Sequence, residues 1–447
     1  MPATARAQTA MARQPTVALA RLGFREIAWI VIPLIFFAVR GAFSFQSDGD
    51  AAGGFSPGTV AVRDPGLLGT VILPAAAYGC ALLLIRSRAR EVFALAREFK
   101  LLTILALAAI VSFAWSQDPA HSLLMGTCYL IDTLFAFYLV ARFEPDELMR
   151  LLERLLLLLC VISVVMVFAF PQYGRSQLDA RNPDAWAGIF SSRSAACRAY
   201  EYLLAASLVL WRKHRTAQRA ITMLLALLMM ANGHVVTTML MLALFAAYLG
   251  VQHLSHRLTK RTSFALLLFV VAATAAASAS IYCFSSVVLG ALGRDPTLTG
   301  RTEIWAVLLE SVRKRPLLGY GFCAFWQGLN GESGAVIHRF HWTFGYAHNG
   351  YLEICLQLGL AGLAIFLATL AKALRDAWVC TRMDPSGRYD WYVGIVLLML
   401  IQNVDDCTVL WPRDLLSILY IVACCAVALG ARSLTQNNSH LREPLCV

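Results

Sequence analysis

Apolar residues recur along the chain in runs of roughly 18–22 positions, each about long enough to cross a bilayer as a helix. Twelve runs can be marked, at about 25–40, 66–85, 100–116, 121–141, 154–171, 194–211, 219–232, 235–252, 263–288, 350–371, 391–404 and 414–431. The seventh and eleventh are the shortest. The pattern predicts an all-α polytopic membrane protein with about 12 transmembrane helices, read as a single transmembrane domain over 1–447. Most connections are short and polar. Three are longer: a Gly/Ser/Asp-containing stretch at 41–65, an Arg/Asp/Asn-rich stretch at 171–193, and a segment at 291–348.

The 291–348 loop carries its own helical pattern. Ile304, Leu308 and Val312, with Trp305 and Leu309 beside them, form one apolar stripe at helical spacing. Thr302 is placed to cap this helix, with Glu303 in its first turn. Arg313, Lys314 and Arg315 suit its last turn, and Pro316 stops it. Such an amphipathic helix is expected on the membrane surface or over the mouth of the bundle. The stretch that follows interleaves glycines (Gly319, Gly321, Gly328, Gly331, Gly334, Gly345) with aromatics such as Tyr320, Trp326, Trp342 and Tyr346. Aromatic rings with polar gaps suit sugar faces and membrane interfaces about equally.

Composition agrees with the pattern: 59% of residues are hydrophobic, 15% are charged, and mean hydropathy is +0.63. With both termini cytoplasmic, the inner connections carry roughly twice the Lys and Arg of the outer ones. The net charge of +11 is mostly this topological bias, and no basic, aromatic-interleaved soluble domain points to nucleic acid. No small-x-small cleavage site closely follows the first apolar run, which therefore reads as an uncleaved helix. The twelve cysteines are scattered without a CxxC pair and read as small buried hydrophobes.

Candidate chemistry gathers at the outer ends of the helices. His348 immediately precedes the 350–371 run, and Asn349 is placed to cap that helix. The positive end of the helix dipole favours a neutral imidazole, which can act as a general base towards a hydroxyl; position alone points rather to an interfacial histidine satisfied by a carbonyl. Nine residues after the His-Asn pair come Gly359 and Gly362, expected to admit a neighbouring helix and so to fix where His348 sits. Arg301, just before the amphipathic helix, can add a bidentate fork to the anion-binding helix start, or be a solvated loop charge. Arg193 and Arg198 lie where the 171–193 loop enters the sixth run, after Trp186-Ala187-Gly188-Ile189-Phe190. Arg198 so close to hydrocarbon needs a cavity or a partner, and Glu201 three residues on is the bland choice. His338, His341 and His348 are too loosely spaced for a metal site, and no Gly-Lys-Ser/Thr loop points to ATP. No cofactor is therefore expected.

Three motifs now occur in order: Thr299-Gly300-Arg301-Thr302-Glu303-Ile304-Trp305, Pro316-Leu317-Leu318-Gly319-Tyr320-Gly321, and Ala347-His348-Asn349-Gly350-Tyr351-Leu352-Glu353 with Gly359 and Gly362. They resemble the O-antigen ligase superfamily, most of all the branch that includes exopolysaccharide-production polymerases. The resemblance is strong over about 290–365, weaker at Trp186–Phe190, and defines 220–371 as the motif-bearing region. It implies a bacterial inner-membrane enzyme with a fold related to the C-type glycosyltransferases and a periplasmic 291–348 loop. It implies transfer of a glycan from an undecaprenyl-diphosphate carrier on the periplasmic side, to another repeat unit or to lipid A core, without nucleotide or metal. Carried onto these positions, His348 is the base that activates the acceptor, and Arg301, Arg198 and Arg193 hold the diphosphate, with Asn349 supporting. Two stretches depart from the pattern: Ser192-Arg193-Ser194 stands where relatives often have His-Lys-Asn, and Gly233-His234-Val235-Val236-Thr237 lacks a basic residue at the start of the eighth helix. The alternative from another class is a polytopic transporter or lipid-linked glycan flippase, for which Asp132, inside the fourth run, is the main internal charge.

Overall fold

The computed structural model describes residues 24–39, 68–176, 182, 184–255, 300–340 and 345–440. The 263–288 run, the 41–65 loop and His341 lie outside the described residues, as does the side chain of Arg301.

The described chain is almost wholly helical. Its helices are α1 (Phe24–Ala38), α2 (Leu73–Ser87), α3 (Ala89–Glu98), α4 (Lys100–Val111), α5 (Pro119–Arg142), α6 (Pro145–Ala169), the single turn α7 (Pro171–Gly174), α8 (Arg193–Lys213), α9 (Ala217–Gly233), α10 (Val236–Ser255), α11 (Gly300–Lys314), α12 (Gly331–Phe340), α13 (Gly350–Met383), α14 (Asp390–Asp405) and α15 (Leu415–His440). Every apolar run that the structure describes falls on a helix. Five of these helices are long and apolar enough to cross a membrane: α5, α6, α10, α13 and α15. Shorter apolar helices include α1, α2, α4 and α14. Outward-facing Leu158, Val161 and Val165 on α6, and Ile221, Leu224 and Leu228 on α9, are exposed. Helices apolar on the outside as well as the inside belong to a multi-pass membrane protein.

α15 is the centre of the bundle, with 83% of its apolar window buried. It packs against α13, α14 and α5, while α8 sits between α6, α9 and α10. Sequence signals set the helix starts. Asp118 accepts from His121 N (3.1 Å) ahead of α5, and Glu144 and Glu147 form a capping box on α6. Two antiparallel residue pairs, Arg175 with Trp186 and Ser176 with Ala185, close the loop between α7 and α8.

The 291–348 segment does not merely lie on the bundle. α11 and α12 bury Ile304, Val307, Leu308, Val312, Val336 and Ile337 against Leu352, Cys355 and Leu356 of α13, forming a second, smaller core. The amphipathic stripe is thus satisfied by protein, while Leu309 on the far side stays exposed. The helix starts at Gly300, earlier than the sequence suggests, so Arg301 and Thr302 lie inside its first turn and Thr302 is not its cap.

Candidate functional site

α13 is not one straight helix. Gly359 sits at φ 66°, ψ −168°, and the helix breaks there. The segment Pro316–Gly321 runs across the break and takes over its lost hydrogen bonds. Tyr320 N and Gly321 N donate to the carbonyls of Leu356 (2.8 Å) and Gln357 (3.0 Å), and Leu360 N and Ala361 N donate to those of Pro316 (2.7 Å) and Leu317 (3.2 Å). Every backbone group that the break would orphan on these residues is used. A Cβ on Gly359 would stand 2.2 Å from the Leu317 carbonyl oxygen, and one on Gly319 2.6 Å from that of Leu356. The glycine of the motif therefore serves a backbone strap. This corrects the expectation of a helix-packing pair: the atoms that crowd Gly362 belong to Leu358 of its own helix.

The strap is held from below by the α4–α5 turn. Trp115 Nε1 donates to Leu318 O (2.9 Å), Gln117 N to Tyr320 O (3.0 Å), and Phe322 N to Ser112 Oγ (2.9 Å). Arg315 stacks over the Tyr320 ring at 5.0 Å, and the Tyr320 hydroxyl donates to Ser311 O (2.8 Å). Burial pushes that phenol up to about 12.

Above the strap, the turn 346–350 is pinned from several directions. Ala347 N donates to Glu353 Oε2 (2.8 Å), and Trp305 Nε1 on α11 donates to Ala347 O (2.9 Å). His348 occupies the left-handed region at φ 50°, and the Tyr346 ring lies 4.1 Å from the imidazole, with Trp411 beyond at 6.2 Å from Tyr346. Asn349 caps α13 as expected, its Oδ1 accepting from Leu352 N (3.0 Å), while its Nδ2 donates to Val404 O (3.2 Å). Gly350 N donates to Asp406 O (3.1 Å), and a Cβ there would meet Asn403 Oδ1 at 2.0 Å. A histidine backbone at positive φ is uncommon and persists where surrounding contacts dictate it.

Arg198 reaches the same place by a route that local spacing hides. Its Nη1 pairs with Asp406 Oδ2. Glu201, its expected partner, instead accepts from Gln402 Nε2 at 2.9 and 3.0 Å. Arg198 also lines a cleft with Leu156, Ala195, Tyr202 and Asp414. Arg193 opens α8 and donates through Nη1 to the carbonyls of Gly233 (3.3 Å) and His234 (3.0 Å). The two stretches that depart from the resembling family's pattern are thus in contact with each other. Arg301 lies in the first turn of α11, whose Trp305 touches the histidine turn. His338 sits near the end of α12.

Sequence reasoning passed over three groups. Asp406 binds Arg198, Glu353 anchors Ala347, and Cys407 lies beside both; burial, with the charge of Glu353 adding to it, holds the Cys407 thiol well above its usual range. An acid in the first turn of an otherwise apolar run was the available signal for Glu353.

Residues 220–367 match the family described as O-antigen ligase. The Exopolysaccharide production protein ExoQ of Rhizobium meliloti is 28% identical over 279 residues, which is 59% of this chain and 62% of that relative. Putative polysaccharide ligases of Rickettsia prowazekii and Rickettsia typhi are 33% and 31% identical over 88 residues, 19% of this chain and 22% of each relative. The chain thus aligns with about three fifths of the first relative's length and about a fifth of the other two. The matched region holds the broken helix, the strap and the histidine turn, so it is this part of the chain that is similar to the O-antigen ligase family.

Proposed function

We propose that this chain is a bacterial inner-membrane glycosyltransferase that moves or polymerises glycan from an undecaprenyl-diphosphate-linked donor on the periplasmic side, with both termini cytoplasmic. The observation that carries the reading is the pinned turn that carries His348, with the Tyr346 ring against its imidazole. His348 sits at the start of a membrane helix in a turn anchored by Glu353, Trp305, Asn349 and Asp406, and Asp406 also binds Arg198. A general base works only when its position is fixed relative to the proton it takes.

The reaction balances without nucleotide or metal. The imidazole of His348 takes the proton of an acceptor sugar hydroxyl, and the freed oxygen attacks the anomeric carbon. The bond from that carbon to the carrier diphosphate breaks as the new glycosidic bond forms, so the centre inverts. Charge that develops on the departing diphosphate is met by Arg301 and Arg198, each able to offer a bidentate fork. Arg198 exchanges Asp406 for the phosphate oxygens as the donor arrives. Arg193 holds the α9–α10 turn through the Gly233 and His234 carbonyls, and in this reading its charge adds to the pull on the diphosphate. The imidazolium then returns its proton to water.

The test is reconstitution of the full chain in lipid with an undecaprenyl-diphosphate-linked repeat unit, with and without lipid A core. A ladder formed without core assigns polymerase activity, and a single shifted lipid A species assigns ligase activity. His348→Ala should lower either by about 10²–10⁴-fold, the usual contribution of a general base, with membrane insertion unchanged. Wild-type rates in that variant would remove the base and with it this mechanism.

A further inference from the structure

Glu353 is a buried acid for which the proposed reaction has no task. It is 3% exposed, one turn into α13, and its carboxylate collects neutral N–H donors from three segments. Oε1 accepts from Gln357 Nε2 (2.8 Å), Oε2 accepts from Ala347 N (2.8 Å), and Trp326 Nε1 lies 3.1 Å from both oxygens. All of these contacts run towards the oxygens. A protonated carboxyl would turn one oxygen into a donor facing a donor, so the arrangement fits the ionised form. Gln357 extends the network, its Oε1 accepting from Cys323 N (3.2 Å). One side chain thus joins the loop after the strap, the first half of α13 and the turn that carries His348.

We infer that Glu353 is the positioning residue of the transfer reaction: it fixes the Ala347–His348 backbone and supplies the buried negative charge that stabilises the imidazolium formed when His348 takes its proton. The inference rests on the glycan-transfer reading above. Two links support it. Ala347 is clamped at both ends of its backbone, by Glu353 at N and by Trp305 at O, so the next residue cannot swing. Asn349 O accepts from Glu353 N (2.9 Å), the first backbone bond of α13, so the carboxylate is carried by the same turn of helix that Asn349 caps. Other titratable or charged groups around this turn are Tyr346, Cys407 and the Arg198–Asp406 pair. In that pair the charges oppose each other, and among the described side chains Glu353 is the acid that contacts the backbone of the turn directly, with Glu303 two residues before Trp305 on α11.

The experiment uses full-length protein in lipid nanodiscs and two readouts. One is transfer from the undecaprenyl-diphosphate-linked repeat unit. The other needs no substrate: the rate at which diethyl pyrocarbonate modifies His348 is followed against pH by peptide mass spectrometry, and its midpoint reports the imidazole. Glu353→Gln keeps the shape and removes the charge. It should lower transfer by about a hundredfold, as a small misplacement of a catalytic group does. It should also move the midpoint down by about one unit, as loss of a nearby opposite charge does. Trp326→Phe removes one donor and leaves the charge, so transfer should fall by about tenfold, one lost hydrogen bond to a charged group, with the midpoint unmoved. A wild-type rate and midpoint in Glu353→Gln overturns the inference. If that variant fails to fold, a wild-type rate in Trp326→Phe overturns it. The parent reading fails separately: full transfer by His348→Ala removes the base, whereas a dead His348→Ala with an unshifted midpoint in Glu353→Gln removes only the role of Glu353.

Discussion

The two halves of α13 have the same composition to the eye and live in different surroundings. From Leu352 to Gly359 every residue is buried: one side meets α11, the strap and the loop around Trp326, and Ile354 and Leu358 face the main bundle core. After Gly359 exposure returns on one face, at Leu360, Ala364, Leu367, Ala368 and Ala371, the spacing of a helix with one side on the bundle. The 34 residues of α13 would span about 51 Å as a continuous helix, against a hydrocarbon thickness of about 30 Å. After the break the apolar stretch runs only from Leu360 to Ala371 before Lys372, so the apolar span of α13 draws on residues from both sides of Gly359. Hydrophobicity thus means two things in one element: after Gly359 one face turns outwards and the other enters the bundle core, while before it every side is covered by protein. The break lets the upper half tilt into its own surroundings without carrying the lower half with it.

The sharpest way to break this division is Gly359→Ala. The residue's φ alone costs about 1–3 kcal/mol for a side chain, and the added Cβ would overlap the Leu317 carbonyl. Strap and helix cannot both keep their places, so transfer should be lost and the 316–321 segment should become accessible to protease in nanodiscs. A fully active, protected variant would refute the strap. Next comes a matched pair, one leucine from each half. Leu356→Ala, in the upper core, should destabilise by about 2–5 kcal/mol. Leu367→Ala, facing outwards, should stay within about 0.5 kcal/mol, as changes away from packed contacts do. Denaturant titration of the two in detergent checks it, and equal losses would mean that both halves are packed alike. Of the changes read by transfer, the smallest effect belongs to Asp132→Asn. Asp132 is buried in α5 and its Oδ2 accepts from Arg413 N (2.8 Å), pinning the loop that leads to α15. Asn keeps an acceptor there, so transfer should fall by no more than about 1 kcal/mol of barrier. Complete loss of function with the fold intact would favour the transporter reading, in which that charge moves cargo.

Much of this was legible in the sequence, for reasons that also show where legibility ends. Helix existence follows from apolar runs because a membrane helix must satisfy its own backbone, so hydropathy alone marks it. The cap at Asn349 and the stop after Lys314 follow from local chemistry within a few residues. The break at Gly359 left no such mark: the residues on either side are equally apolar, and only the distant strap explains why the helix stops. Arg198 taught the same lesson. Glu201 was the local candidate, and the partner is Asp406, more than two hundred positions away. Glu353 was quoted as part of a motif, but its role depends on Trp326 and Ala347, which join it only in the folded chain.

The strap also sets an order of events during synthesis. Pro316–Gly321 leaves the ribosome well before the residues around Gly359 that it must bridge. Its amides and carbonyls therefore stay without their final partners until α13 has been made. Docking it closes a loop of about forty residues, a cost that grows only slowly with loop length, and wedges a finished segment into a helix that is still entering. Folding of this protein then has a late locking step, in which arrival of one helix recruits a segment made earlier and so assembles the histidine turn.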